Sequence, residues 1–169
     1  MDKVSLERLQ LMHPKVRQKA IDDYLAANKL LGKGVRLRIT YSVRTFNEQA
    51  ALYAQGRTKP GKKVTNANAG QSIHNYGLAF DIVILYDKNG DGNFEEASYD
   101  LKRDGDKNGK SDWRTVIDYL ISKGWFWGGN FKTLFDAPHF QYDLGYSWQQ
   151  LLELHKAKKF IKGTTYVQI

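Results

Sequence analysis

The chain of 169 residues and 19.4 kDa has 41% hydrophobic and 13% aromatic residues, no cysteine and a formal net charge of +8. That length suits one domain with a buried core, and the composition excludes a disordered tail, a fibre and a disulfide scaffold. It also excludes thiolate nucleophiles, iron–sulfur clusters and sulfur-ligated zinc, so any metal must be held by Asp, Glu or one of four histidines, His13, His74, His139 and His155.

Taken in chain order, Ser5–Leu11 predicts a short helix, and Pro14 starts a longer one to about Leu31 with Val16, Ala20, Tyr24 and Ala27 on one face. Gly32 and Gly34 stop it. Val35–Val43 alternates apolar and polar residues, the period of a half-buried strand. Thr45 and Glu48 form a capping box that opens a helix to about Gln55. Residues 56–73 are a loop rich in Gly, Lys and Asn, Leu78–Leu85 is a buried strand broken by one charge, and residues 86–110 are rich in turn residues. Ser111 or Asp112 caps a helix to Lys123, His139–Tyr142 is a short strand, and Ser147 caps a last helix reaching 160. Strands separated by helices, with tight turns, predict an α+β fold in one domain over residues 1–169, a small and mostly antiparallel sheet flanked by helices.

No apolar run approaches the roughly 18–20 residues that span a bilayer, so membrane insertion is not expected. Met1 to His13 mixes charged and apolar residues and lacks the apolar core of a secretory signal. Fourteen Lys/Arg against 5 Asp/Glu give residues 1–70 a charge of +9, and 12 against 13 give residues 71–169 a charge of −1. The basic half implies attraction to a polyanion such as a bacterial wall, a lipid surface or nucleic acid.

Asp81 lies within the apolar run Ala79–Leu85, where a carboxylate is costly to bury unless paired or bound to a cation. His74, seven residues upstream, precedes Gly77, which permits a tight entry into the strand. A plain His–Asp hydrogen bond would also account for this pair. A second cluster, Asp136-Ala-Pro-His139, adds another histidine and carboxylate. Two histidines and a carboxylate make three of the four ligands of a catalytic zinc, and Asp136 is a candidate general base for the water in the fourth position. Trp125-Phe126-Trp127-Gly128-Gly129 is either core packing or a wall of a groove. His13 is expected to help turn the chain before Pro14, and His155 to face solvent.

Ser72-x-His74-x-x-Gly77-x-Ala79-x-Asp81, followed by Asp136-x-x-His139, resembles the D-alanyl-D-alanine carboxypeptidase-like zinc peptidases. Leu11-x-His13-Pro14, Ser42-Val43-Arg44-Thr45 with Glu48-Gln49, and Ala54–Gly61 resemble the branch of L-alanyl-D-glutamate endopeptidases that cut peptidoglycan stem peptides. The resemblance spans about residues 10–142, implied as the catalytic core, and implies a Hedgehog/DD-peptidase-like fold. It implies that His74, Asp81 and His139 bind one zinc ion and that Asp136 is the catalytic base. It further implies that Arg44 holds the substrate carbonyl or oxyanion, with Ser72 and Gln49 lining the substrate cleft. A monomer acting on wall stem peptides follows, and family habit points to a phage endolysin held in the host cytoplasm until release, or to a bacterial wall enzyme.

Two other functions fit parts of the pattern. The same site could trim terminal D-alanine as a carboxypeptidase, given a cation for the free carboxylate. A catalytically silent wall-binding module would have no need of Asp136 beside a full ligand set, and a nucleic-acid binder leaves Asp81 unexplained. The departure from the family lies in residues 86–112, an insertion with eight Asp/Glu against five Lys/Arg. Asp87-x-Asn89-x-Asp91-Gly92 and Asp104-x-Asp106-x-Asn108-Gly109 place oxygen ligands as an EF-hand-type loop does, but their twelfth positions are Ser98 and Thr115. Calcium in the 87–112 loops is therefore one expectation, and ordinary Asn-Gly and Asp-Gly turn chemistry the other.

Overall fold

Val35, Leu37 and Ile39 are buried and Arg36, Arg38 and Thr40 are not, because strand β1 (Val35–Tyr41) has one dry face. The computed structural model describes residues 2–169. Strand β2 (Ala79–Tyr86) runs antiparallel to β1 and sets Ile82, Ile84 and Tyr86 opposite Ile39, Leu37 and Val35, so both strands feed the same core. Helix α1 (Lys3–Gln10) adds Leu9 to that core, and helix α2 (Pro14–Lys29) adds the expected stripe of Val16, Ala20, Tyr24 and Ala27. Helix α4 (Asp112–Ser122), the fourth in the chain after α3 (Phe46–Ala54), contributes Trp113, Val116, Ile117 and Leu120.

β2 is the central strand. Beyond β1, its first half pairs with β5 (His139–Gln141), which pairs in turn with β4 (Phe126–Trp127), and its second half pairs with β3 (Glu96–Ser98). All four pairings are antiparallel, in agreement with the expected α+β architecture. β3 and β4 are too short to show a period in the sequence; their pairing to β2 and β5 defines them.

The helix starts follow their local chemistry. Thr45 and Glu48 close the expected capping box at α3, Ser111 caps α4 by accepting from the Arg114 amide, and Ser147 with Gln150 boxes α5 (Trp148–Lys156). α5 stops short of 160, because the chain turns through Lys158 at positive φ and Phe160 bridges to Val167. His13 does turn the chain, as the cap of α2: its Nδ1 accepts from the Lys15 amide, while its Nε2 lies 2.9 Å from the Val167 carbonyl. His155 corrects the sequence reading. It is half-buried, stacked on Phe46 at 4.5 Å and edge-on to Phe160, because α5 lays its inner face against the start of α3. The hydrophobic core also takes in Leu9, Leu151 and Val167 near the two ends of the chain.

Gly77 has φ of +71° and lies so close to α2 that an added Cβ would stand 2.8 Å from the His13 amide nitrogen. Its carbonyl accepts from that same amide. Gly77→Ala should therefore lower unfolding free energy by about 1–3 kcal/mol. Urea denaturation checks this, and an unchanged midpoint would contradict the packing described.

Candidate active site

His74 sits in a 3-10 turn, Ile73–Tyr76, that Gly77 ends in the left-handed conformation just before β2. Its Nδ1 faces the Ser42 carbonyl at 2.6 Å, which fixes the proton there and leaves Nε2 with a lone pair directed inward. On β2, Asp81 pairs directly with His139 of β5. Opposed residues of an antiparallel ladder project from the same face, so the register alone brings this carboxylate and imidazole together. β1 is irregular between Ile39 and Tyr41, where Tyr41 comes opposite Asp81.

The inward atoms form a tight triangle. His74 Nε2 lies 3.2 Å from Asp81 Oδ1 and 3.0 Å from His139 Nδ1, and His139 Nδ1 lies 3.4 Å from Asp81 Oδ1. Ligands about 2.0–2.1 Å from a tetrahedral ion stand about 3.3–3.4 Å from one another. The outer side of His139 is fixed as well, since its Nε2 donates to Gln141 Oε1 at 3.0 Å while Gln141 Nε2 donates to Asp143 Oδ2 at 2.9 Å. With both ring protons directed outward, three acceptors converge on one point, an arrangement that asks for a cation.

Protonation shows the same demand. Burial alone would raise the Asp81 carboxyl, but the two neighbouring imidazoles hold it far below the usual carboxylate range. Burial would likewise lower His139, yet its hydrogen bond to Asp81 and the charge of that carboxylate push it up. Asp136 borders the same cleft, and both its burial and the Asp81 charge raise its carboxyl. The Asp136 amide donates to the Gly128 carbonyl at 3.2 Å, and a Cβ on Gly128 would stand 2.4 Å from the Asp136 carbonyl and 2.8 Å from the His139 Cβ. Gly128 is thus the backbone on which the Asp136–His139 segment rests.

These groups lie in a cleft of about 830 Å³. Arg44 lines it, with Nη2 3.6 Å from Asp81 Oδ2, Nη1 donating to Gln49 Oε1 at 2.9 Å, and a buried Nε that has no partner. Ser72 borders the cleft. Gln49 does not: it is fully buried behind Arg44, with Nε2 donating to the Ala67 carbonyl at 2.6 Å. The aromatic run divides, with Trp125 in the core and Phe126 exposed. Phe131, just downstream, packs 5.4 Å from the His139 ring along the cleft.

A family described as D-alanyl-D-alanine carboxypeptidase matches residues 65–142, a span holding His74, Asp81, Asp136 and His139. The chain is 44% identical over 130 residues to peptidoglycan L-alanyl-D-glutamate endopeptidase CwlK of Bacillus subtilis (strain 168), covering 77% of this chain and 72% of that protein. It belongs to the D-alanyl-D-alanine carboxypeptidase-like peptidases. The crystal structure of Serratia marcescens L-Ala D-Glu endopeptidase ChiX is similar in fold, with a TM-score of 0.51 at 20% identity over 83% of this chain and 87% of that one.

The peptidase has site features that the sequence did not reveal. Gln141 is expected only as part of the short strand His139–Tyr142, Asp143 carries no expectation, and the Ser42 carbonyl carries no side-chain signature. The x in His139-x-Gln141 was the available signal, because alternate strand residues share a face.

In the metal-free peptidase, the raised His139 stabilises the fold fully below the ordinary imidazole pKa of about 6.5, and that contribution is lost as pH rises through its folded value. The raised Asp136 changes stability in the same direction. The depressed Asp81 contributes above the ordinary carboxylate value and loses its contribution only in strong acid. Comparing wild type with Asp81→Asn cancels other titrations, the lowered His13 included. The stability advantage of wild type should therefore narrow as pH rises above the ordinary imidazole value of about 6.5 in chelator-treated protein. A constant difference by urea denaturation would contradict the coupling.

Proposed function

We propose that this chain is a zinc-dependent peptidoglycan hydrolase that cuts the L-alanyl–D-glutamate bond of stem peptides. The observation that carries the reading is the His74–Asp81–His139 triangle, with both ring protons tied outward, beside Asp136 in one cleft. Two imidazoles and one carboxylate at these spacings suit zinc, leaving a fourth position open. Zinc bound there would supply Lewis acidity toward the scissile carbonyl and make water more acidic.

The remaining work falls to the chain's own side chains. Asp136, raised above its ordinary value by burial and the Asp81 charge, takes the proton of the attacking water and passes it to the leaving amine. Arg44 donates to the carbonyl oxygen as it gains negative charge. Gln49 holds one of its terminal nitrogens in place beforehand, so little reorganisation accompanies the reaction. Ser72 contacts the peptide along the cleft wall.

Choice of bond follows from charge and from kinship with CwlK. Among the described residues lining the cleft, Arg44 is the only Lys or Arg, and it is engaged by Gln49 and Asp81. A carboxypeptidase needs a further cation for the terminal carboxylate, so this cleft favours an internal bond. All site residues come from one chain, which supports action as a monomer on the stem peptides. The place of action is the cell wall, reached as a phage endolysin or as a bacterial wall enzyme. No helix is long and apolar enough to cross a membrane among the described residues.

Mass spectrometry of peptidoglycan digested by the zinc-loaded protein, beside a chelated control, tests the reading. Peptides that begin with a free glutamate amine are expected, whereas loss of one terminal alanine would make the enzyme a carboxypeptidase. Asp136→Asn should retain zinc and lose about 10²–10⁴-fold in kcat, while His74→Ala and His139→Ala lose metal and turnover together. Near-wild-type turnover in Asp136→Asn would remove it from the mechanism. Gln141→Leu, which frees the outer nitrogen of His139, should weaken zinc binding by about 10–100-fold in a chelator competition. Unchanged affinity would show that Gln141 does not orient the ring.

A further inference from the structure

The insertion between β2 and α4 holds a second constellation, away from the zinc triangle. Asp104, Asp106 and Asp112 bring carboxylate oxygens within 4.8 Å of one another. We propose that these three residues, with Asn108, form a calcium site that clamps the insertion to the helical layer. The proposal stands independently of the peptidase reading.

The spacing supplies the ligands. Asp104, Asp106, Asn108 and Asp112 are the first, third, fifth and ninth residues of a loop whose sixth, Gly109, has φ of +89°. The loop folds back on its own donors: Asp104 accepts from the Asn108 and Gly109 amides at 3.1 and 2.8 Å, and Asn108 Oδ1 accepts from the Lys110 amide at 2.9 Å.

The observation that points to a ligand is Asp112. Its side chain is only 1% exposed. Oδ2 accepts from the Tyr86 hydroxyl at 2.7 Å and from the Gly105 amide at 2.8 Å, whereas Oδ1 is buried with no hydrogen-bond partner. Asp112 is itself one of the three residues whose carboxylates converge, so the bare oxygen belongs to a member of the cluster. A buried carboxylate with a bare oxygen is costly unless a cation meets it. Arg103 and Lys110 make their ion pairs elsewhere, with Glu96 at 2.9 Å and Asp118 at 2.9 Å. All donors are oxygens, which suits a hard cation, and the loop's span suits calcium rather than the strict octahedron of magnesium.

The first acidic loop is the internal control. Asp87 accepts from the Gly92 amide and Asp91 from the Asn93 amide, the same fold-back, but its carboxylates are not deeply buried and none holds a buried unpartnered oxygen among the described residues. It carries no assignment.

An ion at Asp104–Asp112 would join three parts of the molecule. Asp106 Oδ2 accepts from the Gly32 amide at 2.7 Å, tying the loop to the turn after α2. Asp112 opens α4, and the next residue, Trp113, donates its indole N–H to the Ser98 carbonyl and packs 6.2 Å from Tyr99. Tyr99 lines the catalytic cleft, so a cation fixing the insertion also fixes one wall of the substrate site.

The test uses the full zinc-loaded chain freed of calcium, titrated with calcium chloride and followed by calorimetry and thermal melting. One ion per chain and a rise in Tm of about 3–10 °C at roughly 1 mM calcium are expected, with a smaller response to magnesium. Asp104→Asn should reduce the affinity at least about tenfold, and Asp91→Asn should leave it unchanged. Calcium should also displace terbium whose luminescence is excited through the protein's tryptophans, a readout that needs no variant. Absence of heat and Tm shift at millimolar calcium overturns the proposal. So does a response lost in Asp91→Asn, or one that magnesium reproduces in full. If Asp104→Asn does not fold, survival of binding in Asp87→Asn and Asp91→Asn decides whether the site lies outside the first loop.

Discussion

The pairing of Asp81 with His139 across two neighbouring strands is the constraint on which the rest of the structure depends. It requires β2 to bury Phe80, Ile82 and Ile84 on one face while it presents a carboxylate on the other. A slip of one residue would exchange the two faces, sending Asp81 into the core and Ile82 into the cleft. The apolar stripe of α2, the register with β1 and the packing of α4 therefore maintain the chemistry indirectly, by making every other register expensive. The fixed outer bonds of His74 to Ser42 and of His139 to Gln141 then direct both remaining ring nitrogens to the same point.

Local rules made part of this legible in the sequence. The stripe Val16, Ala20, Tyr24, Ala27, the box at Thr45 and the cap at Ser111 depend on residues a few positions apart, and each was found where expected. Asp81 stood out because a charge in an apolar run contradicts its surroundings. What stayed hidden depends on long-range partners. His13 is completed by Val167 and His155 by Phe46, separations over which no spacing rule operates. β3 and β4, three and two residues long, exist only through their neighbours.

Gln49 illustrates the limit on the site itself. A polar residue near a recognisable motif reads as a substrate contact, yet its amide bridges Arg44 and the Ala67 carbonyl in full burial. The bridge is worth more behind the cleft than in it. The Arg44 guanidinium is held by Gln49 at Nη1 and lies 4.9 Å from the centroid of the Tyr41 ring, contacts that restrict its rotamers. Gly128 works in the same way from the other wall, where the absence of a side chain lets the Asp136–His139 segment close against it.

Charge is divided along the same lines. Residues 1–70 carry +9, but only Arg44 among all Lys and Arg residues reaches the cleft among the described residues. Exposed charges act over a Debye length of about 8–10 Å and raise the local concentration of a polyanion without choosing a bond. Inside the cleft the relevant charges are few and coupled: Asp81 holds His139 up and adds to the burial that raises Asp136. On the proposed reading, one carboxylate thus acts on both a zinc ligand and the base. A cation bound beside Asp81 would offset the part of the Asp136 shift that comes from the Asp81 charge, leaving the part that comes from burial.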